Sequence, residues 1–297
     1  VSSVDSSWSR VYVKVNMNRE DSKILLKEIY EDIELPNSSP QGMEKYLTDN
    51  LAIDITFDLV LKEELLRAEL ISAPLTILIL LFVFGTVVSA SLPALSGIYT
   101  VIAAVGIIHG LTYIVDDLTV YAVNIVSLLG IGLSVDYSLF IVNRFREELG
   151  RGHDKRIAIA MTSATAGRAI LFSGLTVVAG LTGMLFFENT GLPSLGWGGI
   201  CATLVALTSS VILLPSILAI LGDRINSGRV PLGLSTEVAD DGFWYDLAKR
   251  VMSKPLSFLV PSVLILLVAG APFLQAEWGI TSWKALSPDN EARSGME

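Results

Sequence analysis

An acid and a phenol stand side by side, Asp136 and Tyr137, within the otherwise apolar stretch "GIGLSVDYSLFIV". A carboxyl group binds and releases a proton, and a tyrosine hydroxyl donates a hydrogen bond or passes a proton along. In hydrocarbon the acid is expensive: an ionised aspartate near the centre of a membrane helix is disfavoured by roughly 2.5–3.5 kcal/mol. Such a penalty favours the neutral form of any carboxyl group so placed and brings proton exchange towards neutral pH. The pair therefore predicts proton transfer inside a membrane. The competing reading is an acid that bonds to a nearby serine or tyrosine and locks helix packing.

Other polar groups are sparse. Ser173 and Thr176 supply hydroxyls in "GRAILFSGLTVVAGLTG", where Gly174, Gly180 and Gly183 suit close helix packing. Ser173 is either a proton-relay hydroxyl or bonded back to its own helix carbonyl. His109 lies near the end of a span with no acid beside it and reads as a satisfied buried histidine. Arg144 and Arg146 follow Asp136 by about two turns and read as anchors of the helix end. Pro215 predicts a kink. No phosphate-binding GxxxxGK[ST] loop, HExxH pair or GxSxG elbow occurs, so neither an enzyme nor a cofactor or metal is expected. Cys201, the single cysteine, excludes an intrachain disulfide and a cysteine metal cluster. A formal charge of −9 argues against nucleic acid as a partner.

Stepping these groups into place requires membrane helices. Of 297 residues 52% are hydrophobic. They gather into runs of about twenty, the length that crosses a bilayer core. Six spans are predicted: 71–90, 93–115, 119–141, 168–187, 195–222 and 257–276. On a helical wheel of about 100° per residue, Asn124, Ser127, Ser134 and Ser138 share a small polar stripe, with Gly130 at its edge. Asp136 lies nearly opposite, close to Gly132, and Tyr137 lies between. Neither side suits lipid, which predicts a helix that meets protein on most of its circumference.

Basic residues set the expected orientation. They cluster in a loop at 142–168 and in a linker at 223–255, both assigned to the cytoplasm. Within the first, the amphipathic stretch 146–167 is either a helix on the membrane surface or an ordinary connection. "SASLP" at 89–93 predicts a tight inside turn. Both chain ends then lie outside, on a multi-pass protein of the cell membrane.

Residues 1–70 form the sizeable polar segment. Val11, Val13, Val15 and Met17 alternate with polar residues and predict a strand; a helix follows from Asp21 or Ser22, and helical pattern resumes near Asp54. This predicts a partial extracytoplasmic α+β domain. A valine start, the absence of a signal peptide and a polar ending at 277–297 suggest a piece of a longer protein.

"GIGLSVDYSLFIVNRFREELGRG" followed by "AGRAILFSGLTVVAGLTGML" closely resembles the MMPL-type transporters of the resistance-nodulation-division (RND) superfamily. "ELISAPLTILILLFVFGTVVSASLPAL", "LLPSILAILGDRI" and "KALSPDNEARSG" extend the resemblance over most of the chain. The resemblance implies an all-α, RND-like half-bundle cut from a twelve-span protein. Each half would carry one span, a large extracytoplasmic domain and five further spans. This chain would hold the end of the first such domain, spans two to seven and, at 277–297, the start of the second domain. The implied activity is export of lipids or other hydrophobic molecules driven by the proton gradient. Asp136 and Tyr137 would be half of the relay, with Ser173 as a further member. The implied partners are protons, membrane lipids, a hydrophobic cargo, and the missing second half or another copy. Sterol-sensing and Patched-like bundles share the architecture, so the alternative is a non-transporting lipid sensor or scaffold.

Overall fold

A computed structural model of the chain describes residues 22, 25, 28, 50–115, 118–187, 191–230 and 243–275. The chain divides into two units, Leu65–Asp241 and Val1–Glu64 with Gly242–Glu297. Among the described residues there are six helices long and apolar enough to cross a membrane. The number of spans agrees with the sequence reading; their limits do not.

Helix α1 (Asn50–Phe84), which enters the larger unit at Leu65, and α2 (Val87–Leu111) are separated by Gly85 and Thr86 alone. The expected turn at 89–93 is helical, and α2 runs through Pro93. Gly85 adopts φ 64°, a backbone region that suits glycine, and Thr86 is extended. A distant segment holds this break open. Val87 N–H donates to Gly228 O at 3.0 Å, Val230 N–H donates to Gly85 O at 2.9 Å, and Ser89 Oγ donates to Ile225 O at 2.8 Å.

The polar and apolar groups are positioned by α3 (Val120–Gly150), which continues well beyond 141. The expected loop 142–168 is helical except at 151–154. The amphipathic stretch becomes α4 (Lys155–Thr162), capped by the Asp154 side chain, and passes through a π turn (Ser163–Gly167) into α5 (Arg168–Thr182). With Ala158 and Thr162 buried, α4 is the packed first part of a span and not a helix resting on the surface. Then follow α6 (Leu192–Thr208), a second π turn (Ser209–Leu213) and α7 (Leu214–Leu221). Pro215 sits just after this π turn. A proline cannot donate to the carbonyl four residues back, and the wider turn accommodates that loss inside the span.

The core is a triangle of α2, α3 and α6, with α5 laid against α6. Small residues allow the approach. A Cβ added to Gly130 of α3 would lie 3.4 Å from Thr100 of α2 and 3.5 Å from Ala202 of α6. Gly174 of α5 leaves no room for one beside Leu207.

The other unit contributes α8 (Phe243–Ser253) and α9 (Pro255–Gly270). Ser22, Leu25 and Glu28 are helical, as the sequence predicts there. The expected strand at 11–17 lies outside the described residues, so the described structure is all-α where an α+β domain was expected.

Candidate functional site

Asp136 and Tyr137 lie on α3 in the relation the wheel predicts. Tyr137, Ser134, Ser138 and Gly130 are buried, while Asp136 and Gly132 are exposed. Leu128, Gly132, Asp136 and Phe140 succeed one another at four-residue spacing and form one uncovered stripe of the helix. A Cβ at Gly132 would meet nothing within 4 Å. The acid is thus carried on a face that the described residues leave open, in the middle of a helix of membrane-spanning length. Tyr137 is 6% exposed, and its Oη has no hydrogen-bond partner among the described residues.

Ser173 does not join them. It is exposed on α5, a helix that packs against α6 through Gly174 and Leu207. His109, expected to be buried, is exposed in the last turn of α2 and meets Tyr113 edge-on at 5.7 Å between ring centres. Its neighbour Ile108 takes the buried position, which turns the imidazole outwards.

A group of hydroxyls that the sequence reading does not single out lies at the centre of the triangle. Ser96 Oγ is 2.9 Å from both Ser134 Oγ and Ser209 Oγ, and Thr100 Oγ1 donates to Ser134 Oγ at 2.9 Å. All four residues are buried. One turn further along α3, Ser138 Oγ is buried without a partner among the described residues, as is Ser210 Oγ beside Ser209. The small polar stripe of α3 was legible. Its counterparts on α2 and α6 needed the three-helix geometry.

At the far end of α3 the arginines do more than anchor. Arg146 donates from Nε to Asn226 Oδ1 and from Nη1 to Phe84 O, both at 2.9 Å, and so ties α3 to the ends of α1 and α7. Glu148 has 0% exposure. Its Oε1 pairs with Arg144 Nη2 at 2.5 Å and Arg151 Nη1 at 2.9 Å, and its Oε2 lies 2.7 Å from His153 Nδ1. A buried carboxylate needs such partners. Because Arg144 and Arg151 reach solvent, their share is screened. Glu148→Gln is expected to destabilise the chain by about 1–3 kcal/mol, read as a lower thermal-unfolding midpoint in detergent.

No group of three or more His, Cys, Asp or Glu residues that could hold a metal ion occurs among the described residues. What the site offers is one carboxyl group, one phenol and a hydroxyl-lined core, within helices that form a multi-pass membrane protein.

Known proteins resemble this chain in sequence. The sequence model described as the MMPL family matches residues 3–258. The chain is 33% identical over 266 residues to the "Mycolic acid-containing lipids exporter MmpL11" of Mycolicibacterium smegmatis, covering 89% of this chain and 28% of that protein. It is 34% identical over 257 residues to the "Trehalose monomycolate exporter MmpL3" of Mycobacterium tuberculosis, covering 78% of this chain and 27% of that protein. The Mycolicibacterium smegmatis protein of the same description is 30% identical, with 96% of this chain and 31% of that protein covered. The chain thus spans between a quarter and a third of the length of these relatives. With the family match running from residue 3 to residue 258, through all but the last helix, the chain belongs to the MMPL family.

Proposed function

We propose that the intact protein exports a lipid or other hydrophobic molecule across the cytoplasmic membrane, driven by protons moving inward, and that Asp136 and Tyr137 are this chain's part of the relay. The observation that carries the reading is the exposed acid on an apolar membrane helix. Holding that carboxylate ionised against lipid would cost roughly 2.5–3.5 kcal/mol. The stripe through Gly132 and Asp136 is therefore the face met by further spans, from the remaining length of a twelve-span protein or from another copy. A proton crossing 100 mV supplies about 2.3 kcal/mol, and alternating access of the carboxyl group to the two sides would couple that energy to cargo movement. The relatives' descriptions as lipid exporters support the cargo class.

The basic ends of α3 and α7 belong in the cytoplasm in this reading, and both chain ends outside. Residues 1–70 are then part of one extracytoplasmic domain and 277–297 the start of another, with 71–222 the five-span bundle, 223–255 a cytoplasmic linker and 256–276 a further span. Ser173 would act only where the missing spans bring it to the acid.

The test is lipid efflux from proteoliposomes holding the intact protein. Efflux is expected to follow an imposed proton gradient and to stop on adding a protonophore. Tyr137→Phe is expected to slow it severely while leaving thermal stability unchanged or higher, because the change removes a buried hydroxyl that lacks a partner. Gradient-independent efflux, or full transport by the phenylalanine variant, would count against the relay.

A further inference from the structure

Apart from the bundle, α8 has a two-sided composition. Successive residues turn by about 100°. Leu247, Ala248, Val251 and Met252 then share one side, while Asp246, Lys249, Arg250 and Ser253 share the other. Leu247 is half-buried, whereas Ala248 and Met252 are exposed, Met252 at 81%. Tyr245 stands at the boundary and is 50% exposed. An exposed apolar side is unfavourable in water, so the question is what covers it.

Two observations point to the bilayer interface. The first is continuity with a span. Only Lys254 separates α8 from α9, which with the turn after it forms the stretch Pro255–Gln275, long and apolar enough to cross a membrane. Pro255 disfavours a helical residue before it, and Lys254 indeed has φ −138° and ψ 64°. The helix is thereby broken one residue before hydrocarbon begins, although Lys254 N–H still bonds Arg250 O at 3.2 Å. The second is charge. From Phe243 to Lys254 there are three cations, Lys249, Arg250 and Lys254, and one anion, Asp246. All four side chains are exposed. Apolar residues on one side, basic residues on the other and an aromatic residue at the boundary are the make-up of a helix lying in an interface.

We infer that α8 lies in the headgroup layer at the N-terminal end of α9, with Ala248, Val251 and Met252 in the acyl boundary and Lys249, Arg250 and Lys254 bound to anionic phospholipid. This attachment needs α9 to span a membrane but does not need transport. It fixes the depth at which α9 enters the bilayer. The sequence allowed a surface helix or an ordinary connection at 146–167, where the structure has a packed helix; the linker contains the stronger candidate.

The test uses the full chain with Cys201→Ala and a fluorescent label on Met252→Cys or Lys249→Cys. The chain is reconstituted in vesicles of phosphatidylcholine, with and without roughly one-third phosphatidylglycerol, containing an acyl-chain quencher. In anionic vesicles, quenching at 252 is expected to exceed that at 249 by at least about threefold, the contrast between an apolar and a polar side. Each basic residue near an anionic surface strengthens attachment about fivefold. The contrast is therefore expected to collapse in phosphatidylcholine alone and in the exposed-residue variant Lys249→Gln/Arg250→Gln/Lys254→Gln. Equal quenching at the two positions would overturn the inference. So would a contrast indifferent to lipid charge, or one that rises with protein-to-lipid ratio, which would point to a second copy.

Discussion

Asp136→Asn in the intact protein is expected to reduce proton-driven export to the level of protein-free vesicles while expression and unfolding stay near those of the parent. Asparagine keeps the size and hydrogen-bonding reach of the acid but binds no proton in the working range. A relay would lose its titrating group altogether. A packing lock would lose little, since the amide still makes hydrogen bonds. The structure sharpens the distinction, because Asp136 is exposed and makes no ion pair among the described residues. The substitution thus removes no ion pair or hydrogen bond among the described residues, and exposed substitutions of that kind usually change stability by less than about 0.5 kcal/mol. Parental export by the variant, measured with a dye-reported proton gradient of equal size, would leave the bundle without its motor and favour the sensor or scaffold reading.

The largest effect on stability is expected at Gly198. A Cβ there would collide with the carbonyl oxygen of Ala122 and Cγ2 of Ile125, and would lie 2.9 Å from Ala122 Cα. The obstacle is backbone, which cannot turn aside as a flexible side chain can. It stands at the junction of α6 with α3, the most extensive in the core. Gly198→Val is therefore expected to cost at least about 3 kcal/mol, the upper end of overpacking penalties, and to lower the unfolding midpoint or abolish the folded yield. Gly130→Ala is the control. Its new methyl would meet Thr100 and Ala202 at ordinary contact distances, and the gain in helix propensity, about 0.8–1 kcal/mol, offsets any crowding. Similar losses for both variants would show that the α3–α6 approach is looser than described.

The six spans were readable from sequence because lipid asks for apolarity on every side, a signal that does not depend on knowing any partner. The division of α3 was readable too. Ser134 and Ser138 fell on one face and Asp136 on another through periodicity alone, and burial follows that division. What failed depended on contacts distant in the chain. The break at Gly85 and Thr86 is fixed by pairing with residues 228–230, whereas a proline at 93 gave the stronger local sign of a turn. The run "RFREELGRGH" read as a charged loop, but helical spacing gathers Arg144 and Arg151 around the buried carboxylate of Glu148. His109 read as buried because its span is apolar, yet one residue of register sends Ile108 inwards in its place. Ser173 was a candidate for its hydroxyl and then for the family resemblance, and in the structure it is exposed on α5, apart from the acid.

The pairing at Gly85 has a mechanical consequence. Leu80 and Phe84, at the foot of α1, are buried in the core, whereas Leu70, Ile71, Leu75 and Leu78 above them are exposed. The helix is moored at Leu80 and Phe84, while its described apolar side chains from Leu70 to Leu78 face outwards, like an oar in its rowlock. The 18-residue span Arg67–Phe84 is about 27 Å long at 1.5 Å per residue. A swing of about 10° about Gly85 would carry its upper end sideways by about 5 Å, the width of half a neighbouring helix, while Leu80 and Phe84, nearest the pivot, move least.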